Sequence, residues 1–186
     1  MSIFSIHTPE TAPEKARPIL DGAKRKFGFV PNLLGALAEA PAVLEAYVTL
    51  SDILARSSFT PTEREVVLIA VSAKNGCDYC IAAHSTIAGL QKVPEDVIAA
   101  LREGRPIADP RLEVLRRFSE TVVEARGWVS EADVQAFLAA GFERGQVLEV
   151  VLGVAFKTLS NYTNHLIGTP IDEAFAGGPP AAANAG

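Results

Sequence analysis

Helix-start and helix-stop residues divide most of this chain into segments whose apolar side chains have helical spacing. Residues 60–63 read Thr-Pro-Thr-Glu, which combines a threonine N-cap with proline at the first helical position. Asn75 and Gly76 then supply a helix end. The β-branched run at residues 66–69 also fits a buried strand, but its length and the capping residues favour a helix. We predict helices at residues 12–27, 31–40, 41–56, 60–74, 77–90, 94–103, 110–126, 130–140 and 144–167.

This pattern predicts an all-α, multi-helix bundle. The chain has 186 residues, which is enough for one domain with a single core, and we expect that domain to span residues 1–176. Residues 177–186 consist of Gly, Pro, Ala and Asn, and we expect them to form a disordered tail.

Charge and hydropathy exclude several classes of partner. The net charge is −5 and no basic stripe is present, so we expect no binding to nucleic acid. No apolar run approaches the roughly 18 residues that a membrane-spanning helix needs, and we expect no membrane association. The first ten residues lack a secretory signal, and the cytoplasm is therefore the expected location.

A short motif occurs twice. Glu-Val-Val-Leu begins at Glu65 and again at Glu149, and at the same spacing Cys77 and Cys80 correspond to Asn161 and Asn164. Chance similarity between two apolar helices explains a four-residue match, whereas the two further coincidences favour an internal duplication. A duplication predicts two similar helical hairpins, of which only the first keeps its thiols.

The two cysteines, Cys77 and Cys80, form a Cys-x-x-Cys pair at a predicted helix start, and His84 follows one turn later. All three lie on one stripe of that helix. Unpaired N–H groups and the helix dipole favour a thiolate there, and the imidazole is able to exchange the thiol proton. Glu65, on the preceding helix, is able to orient that imidazole if the two helices form an antiparallel hairpin.

Other interpretations of these residues remain open. Two thiolates, His84 and Glu65 are also a possible zinc ligand set, although structural zinc sites usually contain more cysteine or a second histidine. Buried structural cysteines are a further alternative. We favour a redox pair, with no metal and no cofactor, because so short a spacing adds almost nothing as a structural disulfide.

Together these residues form the pattern Glu-x11-Cys-x2-Cys-x3-His, which resembles alkyl hydroperoxidase D and the wider carboxymuconolactone decarboxylase-like superfamily. The resemblance is best over residues 60–174, the expected redox core, and residues 6–58 resemble the extra N-terminal helices of the peroxidase-related branch. It implies an all-helical fold, a homo-oligomer (trimer or hexamer) and an antioxidant activity. That activity is reduction of hydroperoxides through a thiolate, a sulfenic acid and a disulfide, which a dithiol or protein reductant then reduces.

Carried over by position, the resemblance makes Cys80 the peroxidatic cysteine and Cys77 the resolving cysteine, with His84 and Glu65 as a proton relay. Tyr79 stands where the hydroperoxidase has a histidine, and tyrosine is a poor base near neutral pH. The alternative function is therefore protein disulfide exchange or redox sensing, with little peroxidase turnover.

A polar cluster near the end of the last helix is a second candidate wall of the pocket, beside Tyr79. Its proposed pocket residues are Asn161, Asn164 and His165. An interface network, or a helix end that turns toward solvent, explains the same cluster.

Overall fold

The computed structural model describes residues 3–177, and this part of the chain is helical without strands. The all-α bundle is thus confirmed. The α-helices, in chain order, are α1 Arg17–Phe27, α2 Asn32–Leu37, α3 Pro41–Leu54, α4 Pro61–Lys74, α5 Asp78–Leu90, α6 Glu95–Arg102, α7 Pro110–Glu124, α8 Glu131–Ala139 and α9 Arg144–Ile167. Short 3₁₀ turns at Glu14–Ala16 and Glu173–Phe175 flank them.

Local sequence explains where the helices begin and end. Thr60 accepts a hydrogen bond from the Glu63 backbone N–H, and the Glu63 side chain accepts one from the Thr60 N–H, which completes a capping box at α4. Helix α1 begins later than predicted because Pro18 fits only the first helical turn. Helix α2 ends earlier because Pro41 favours extended backbone at Ala40.

Helix α4 is the centre of the bundle and packs against α5, α6, α7 and α9. Most of its side chains are buried from Glu65 to Ser72. The packing against α9 is tight, because a Cβ added at Gly153 would lie 2.7 Å from Cγ1 of Val67. Glycine therefore allows the two helices to pack backbone against side chain.

A second apolar cluster lies between the N-terminal helices and the start of α5. It joins side chains of α1, α2 and α3 to Cys77, Tyr79, Cys80 and Ala83. The N-terminal helices therefore cover the face of α5 that carries both cysteines. The division between an N-terminal extension, residues 6–58, and a redox core, residues 60–174, stays a prediction.

The repeated motif does not produce two hairpins. Glu65 and Cys77 lie on either side of the break between α4 and α5, where Gly76 has a φ of +67°. The positions of Asn75 and Gly76 correspond to Leu159 and Ser160, which continue a helix, so the second copy lies entirely on α9. The prediction of a second helical hairpin is therefore wrong.

Two further sequence predictions concern the C-terminal tail and membrane-spanning helices. The predicted disordered tail falls almost entirely on residues 178–186, outside the described residues. Within residues 3–177, no helix is both long and apolar enough to cross a membrane.

Candidate active site

The break between α4 and α5 brings the two cysteines into the interior. Cys77 is the extended N-cap residue of α5, and its N–H donates to the Ser72 carbonyl oxygen over 2.9 Å. Cys80 follows in the first turn of the helix. Both thiols are free, and each residue is only 1% exposed.

Helix α9 faces the two sulfurs with polar side chains. The Asn164 amide nitrogen lies 3.3 Å from the Cys80 Sγ and 3.6 Å from the Cys77 Sγ. The Ser160 Oγ lies 3.6 Å from the Cys80 Sγ. An amide N–H and a hydroxyl are therefore able to stabilise a thiolate at Cys80, because hydrogen bonds to the charged form favour it.

An ion pair connects α5 with α4 beside the dithiol. The Glu65 Oε2 lies 2.9 Å from the His84 Nδ1, and its Oε1 accepts a hydrogen bond from the Gln91 side chain over 3.2 Å. Both partners of the pair are buried. The carboxylate thus fixes the ring orientation of His84 through Nδ1, while the histidine lines the same pocket as Cys80.

The two cysteines have opposite electrostatic environments. A hydrogen bond from the Cys77 thiol lowers the pKa of Cys80 well below its ordinary value, and the positive charges of Lys157 and His84 add to this effect. The same hydrogen bond, together with burial, raises the pKa of Cys77. These opposite directions favour a thiolate at Cys80 over one at Cys77.

A pocket of about 300 Å³ opens over Cys80 and His84. Its walls are mainly apolar and come from α1, α2, α3, α5 and α9. Its aromatic residues are Phe27, Tyr47, Tyr79, Phe156 and Phe175. Such a pocket fits a small apolar molecule whose reactive end reaches the Cys80 sulfur.

The segment at residues 169–177, here called the C-terminal cover, closes one side of this pocket. Asp172 accepts a hydrogen bond from the Tyr79 hydroxyl over 2.5 Å, and both of its carboxylate oxygens lie 3.1 Å from the Asn32 backbone N–H. The Leu33 N–H donates to the same hydroxyl over 3.2 Å. Phe175 packs edge-on against the Tyr79 ring. Tyr79 thus joins α5, α2 and the cover.

This role explains the tyrosine in physical terms. Burial, and the hydrogen bond to Asp172, raise the pKa of Tyr79, so its hydroxyl stays protonated. It donates to a carboxylate of the cover and does not act as a base. Tyr79 lines the pocket, and its hydroxyl donates to Asp172 and so is not free to exchange a proton with a substrate.

The polar cluster on α9 divides into two faces. Asn164 contacts the sulfurs, whereas Asn161 accepts a hydrogen bond from the Asn75 side chain over 2.9 Å and joins α9 to the end of α4. His165 is exposed, and its ring lies near Tyr162 instead of the pocket. Of this cluster, only Asn164 is close to the dithiol.

Sequence reasoning missed four residues of the site, namely Gln91, Lys157, Ser160 and Asp172. Lys157 is fully buried and lines the pocket. Helix geometry could have indicated Ser160, because it lies four positions before the predicted pocket residue Asn164 and so shares its face of α9. Within residues 3–177, no three His, Cys, Asp or Glu side chains are arranged to hold a metal ion.

Comparison with known proteins gives this arrangement a context. The model of the carboxymuconolactone decarboxylase family matches residues 41–120, which include the Glu-x11-Cys-x2-Cys-x3-His pattern. An alkylhydroperoxidase AhpD core structure, an uncharacterized peroxidase-related protein from Ralstonia eutropha JMP134, is similar at 29% identity with a TM-score of 0.83, over 94% of each chain. No significant match was found among curated proteins.

Two further solved structures share the fold. An uncharacterized peroxidase-related protein from Silicibacter sp. TM1040 has 22% identity and a TM-score of 0.80, over 94% of this chain and 93% of its own. The apo debrominase Bmp8 has 17% identity and a TM-score of 0.68, over 87% of this chain and 88% of its own.

The family match covers residues 41–120, and the helical architecture is that of the AhpD core structure. Both findings support a relationship of this chain to the alkylhydroperoxidase AhpD-like carboxymuconolactone decarboxylase superfamily. The family and the similar structures suggest that it is an enzyme.

Proposed function

We propose that this protein is a thiol-dependent peroxidase that reduces small, apolar hydroperoxides. The observation that carries the proposal is the position of the Cys80 sulfur, which lies at an apolar pocket while the Asn164 amide faces it from the opposite helix. The lowered pKa of Cys80 supports its role as the nucleophile, because only the thiolate attacks a peroxide effectively.

The reaction proceeds in balanced steps. The Cys80 thiolate attacks the terminal oxygen of the hydroperoxide, the O–O bond breaks, and Cys80 becomes a sulfenic acid. The alkoxide that leaves takes a proton from His84 and becomes an alcohol. The sulfur of Cys77 then attacks the Cys80 sulfur, with loss of water, to form a disulfide. A dithiol reductant restores both thiols by exchange and is itself oxidised to a disulfide.

Glu65 supports the proton transfers in this scheme. Its contact with the His84 Nδ1 holds the imidazole in one orientation and balances the charge when His84 is protonated. The hydrogen bond from Gln91 fixes the carboxylate in turn. This pair supplies the acid–base function that Tyr79 lacks.

The alternative function, protein disulfide exchange, is less well supported. Exchange requires in-line access of another protein's sulfur to Cys77 or Cys80, and each of these residues is only 1% exposed. The pocket admits a small molecule more readily than a protein segment.

Self-association and a cytoplasmic location also belong to this proposal. Helix α9 exposes large apolar side chains, among them Leu148, Val151, Tyr162 and Leu166. An exposed apolar helix face is compatible with a partner copy of the same chain.

Cysteine variants test the peroxidase assignment. Cys80→Ser is expected to abolish peroxide consumption, because it removes the nucleophile. Cys77→Ser, the matched control at the neighbouring sulfur, is expected to leave a sulfenic acid on Cys80 that mass spectrometry detects after peroxide treatment. Turnover coupled to a small dithiol, and reduction of a protein disulfide without peroxide, are measured side by side.

Each outcome has a clear meaning. Peroxide consumption that persists in Cys80→Ser contradicts the assignment. A sulfenic acid found on Cys77 in the Cys80→Ser protein would mean that Cys77 is the peroxidatic cysteine and Cys80 the resolving one. Reduction of the protein disulfide without any peroxide turnover favours the alternative function.

A further inference from the structure

Lys157 is a buried lysine that the scheme above does not use. The residue is 0% exposed, and its Nζ has no hydrogen-bond partner among the described residues. It lines the pocket with Cys80 and His84, and its Nζ lies 5.3 Å from the centre of the Phe156 ring. A buried ammonium without a hydrogen bond is costly unless a negative charge lies nearby.

The surroundings offer few anions that are able to compensate this charge. The titratable groups that line the pocket or adjoin its buried end are Cys77, Cys80 and His84 of α5, Glu65 of α4, Tyr47 and Asp52 of α3, Tyr79 of α5 and Lys26 of α1. Glu65 is already bonded to His84 and Gln91, and Asp172 of the C-terminal cover is bonded to Tyr79 and Asn32. Asp52 is exposed to solvent. Burial raises the pKa of Tyr47, which is therefore neutral.

The remaining group is the Cys80 sulfur. Ser160 and Asn164, which contact this sulfur, lie three and seven residues after Lys157 on α9 and therefore on the same face of the helix. That face carries a cation, a hydroxyl and an amide; the hydroxyl and the amide contact the Cys80 sulfur, and the lysine lines the same pocket as that sulfur. All three groups stabilise a negative charge.

We propose that Lys157 is the counter-ion of the Cys80 thiolate and positions the reduced site for attack on substrate. This inference deepens the proposed peroxidase function and rests on it for the meaning of the thiolate, although the charge pair itself is testable without peroxide. Lys157 acts through Cys80 and is a positioning residue.

The charge pair has a consequence for the redox equilibrium. Reduction of the Cys77–Cys80 disulfide by a dithiol adds two electrons, leaves one proton on Cys77 and the Cys80 sulfur as a thiolate, and releases the second proton. Lys157 faces a negative charge only in this reduced state. It therefore stabilises the reduced form selectively and makes the disulfide a stronger oxidant.

The test measures the pH dependence of Cys80 alkylation by iodoacetamide in reduced protein, read by mass spectrometry of the labelled peptide. In Lys157→Met the midpoint is expected to rise by about one to three pH units, the usual effect of removing a nearby opposite charge. Lys157→Arg, which keeps the charge, is expected to stay close to wild type. Lys15→Met, at an exposed lysine, is expected to match wild type.

A second measurement uses the redox equilibrium with a dithiol buffer. A tenfold loss of stabilisation of the reduced form corresponds to a potential about 30 mV more negative in Lys157→Met. If Lys157→Met does not fold, Lys157→Gln serves for both measurements. A folded, neutral variant with the wild-type midpoint and potential overturns the proposal.

These outcomes are separable from those of the peroxidase test. A raised midpoint in Lys157→Met without peroxide turnover in wild type supports the charge pair and rejects the peroxidase function. Peroxide turnover in wild type with an unchanged midpoint in Lys157→Met supports the peroxidase function and rejects the charge pair.

Discussion

The contact between Asp172 and Tyr79 offers the sharpest test of how the site opens. Both cysteines are buried, and Phe175 of the C-terminal cover lines the pocket at Cys80, so we expect a bulky reagent to reach the sulfurs when the cover moves away. Asp172 holds the cover through the Tyr79 hydroxyl and the Asn32 backbone N–H. Asp172→Asn keeps the size of the side chain, removes its charge and places an amide where a carboxylate oxygen accepts.

The magnitude follows from the bonds that are lost. A hydrogen bond to a charged group contributes about 1.5–3 kcal/mol, against about 0.5–1.5 kcal/mol for a neutral one. We therefore expect Asp172→Asn to destabilise the closed cover by about 2 kcal/mol, which increases the open population about 30-fold, since 1.4 kcal/mol corresponds to a factor of ten. Tyr79→Phe breaks the same contact and leaves the Leu33 N–H without its acceptor.

The assay is the rate at which a bulky maleimide labels the reduced protein. When opening is fast relative to labelling, the rate follows the open population, and about a 30-fold increase is expected for either variant. Both changes remove one shared contact. The labelling rate of the double variant is therefore expected not to exceed the rate that the two free-energy changes, added together, predict. Asp96→Asn, at an exposed aspartate away from the cover, is the matched control.

One result refutes this reasoning. If Asp172→Asn labels at the wild-type rate although its melting temperature falls, the contact stabilises the fold without controlling access to the thiols. The same rate for a small and a bulky reagent in wild type leads to that conclusion too.

Two further predictions concern packing and pH. Gly153→Ala is expected to destabilise the protein by about 1–3 kcal/mol in chemical denaturation, because its Cβ overlaps Val67, whereas Gly145→Ala on the same helix meets open space and is expected not to destabilise it. Because the pKa of Cys80 is lowered in the folded state, its contribution to stability is present above the ordinary thiol pKa and is lost as pH falls through the lowered value. Denaturation of reduced wild type and Cys80→Ser across that range is expected to converge at low pH; a constant difference contradicts the prediction.

The sequence determined the helices well because their boundaries depend on local chemistry. Proline, capping residues and glycine lie at the ends of α4, and the helix matches its predicted bounds within a residue. The same locality explains the dithiol stripe, since Cys77, Cys80 and His84 belong to one turn-and-helix segment. Their approach to Glu65 required only a short hairpin.

Contacts between distant segments were beyond that reasoning. The Tyr79 hydroxyl meets Asp172, which lies 93 positions away in a segment with no helical pattern. A single lysine in an apolar helix is ordinarily a surface residue, so Lys157 gave no signal by itself. The exposure of His165, by contrast, was predictable from helix geometry. His165 follows Asn164 directly, so its side chain is turned about 100° away from that of Asn164 and toward solvent.

The face of α9 that lies toward the sulfurs carries buried polar atoms that lower the stability of the fold. Lys157 Nζ and Asn164 Oδ1 are buried and lack hydrogen bonds within the described residues, and each such atom ordinarily costs about 1–3 kcal/mol. Apolar side chains at these positions would pack against α5 without that cost. A thiolate at Cys80 changes the balance, because it gives the ammonium a counter-charge and gives the Asn164 N–H a strong acceptor. The buried ammonium of Lys157 is thus compensated in the reduced site. When the disulfide forms and the thiolate is lost, Lys157 is again buried without a counter-charge.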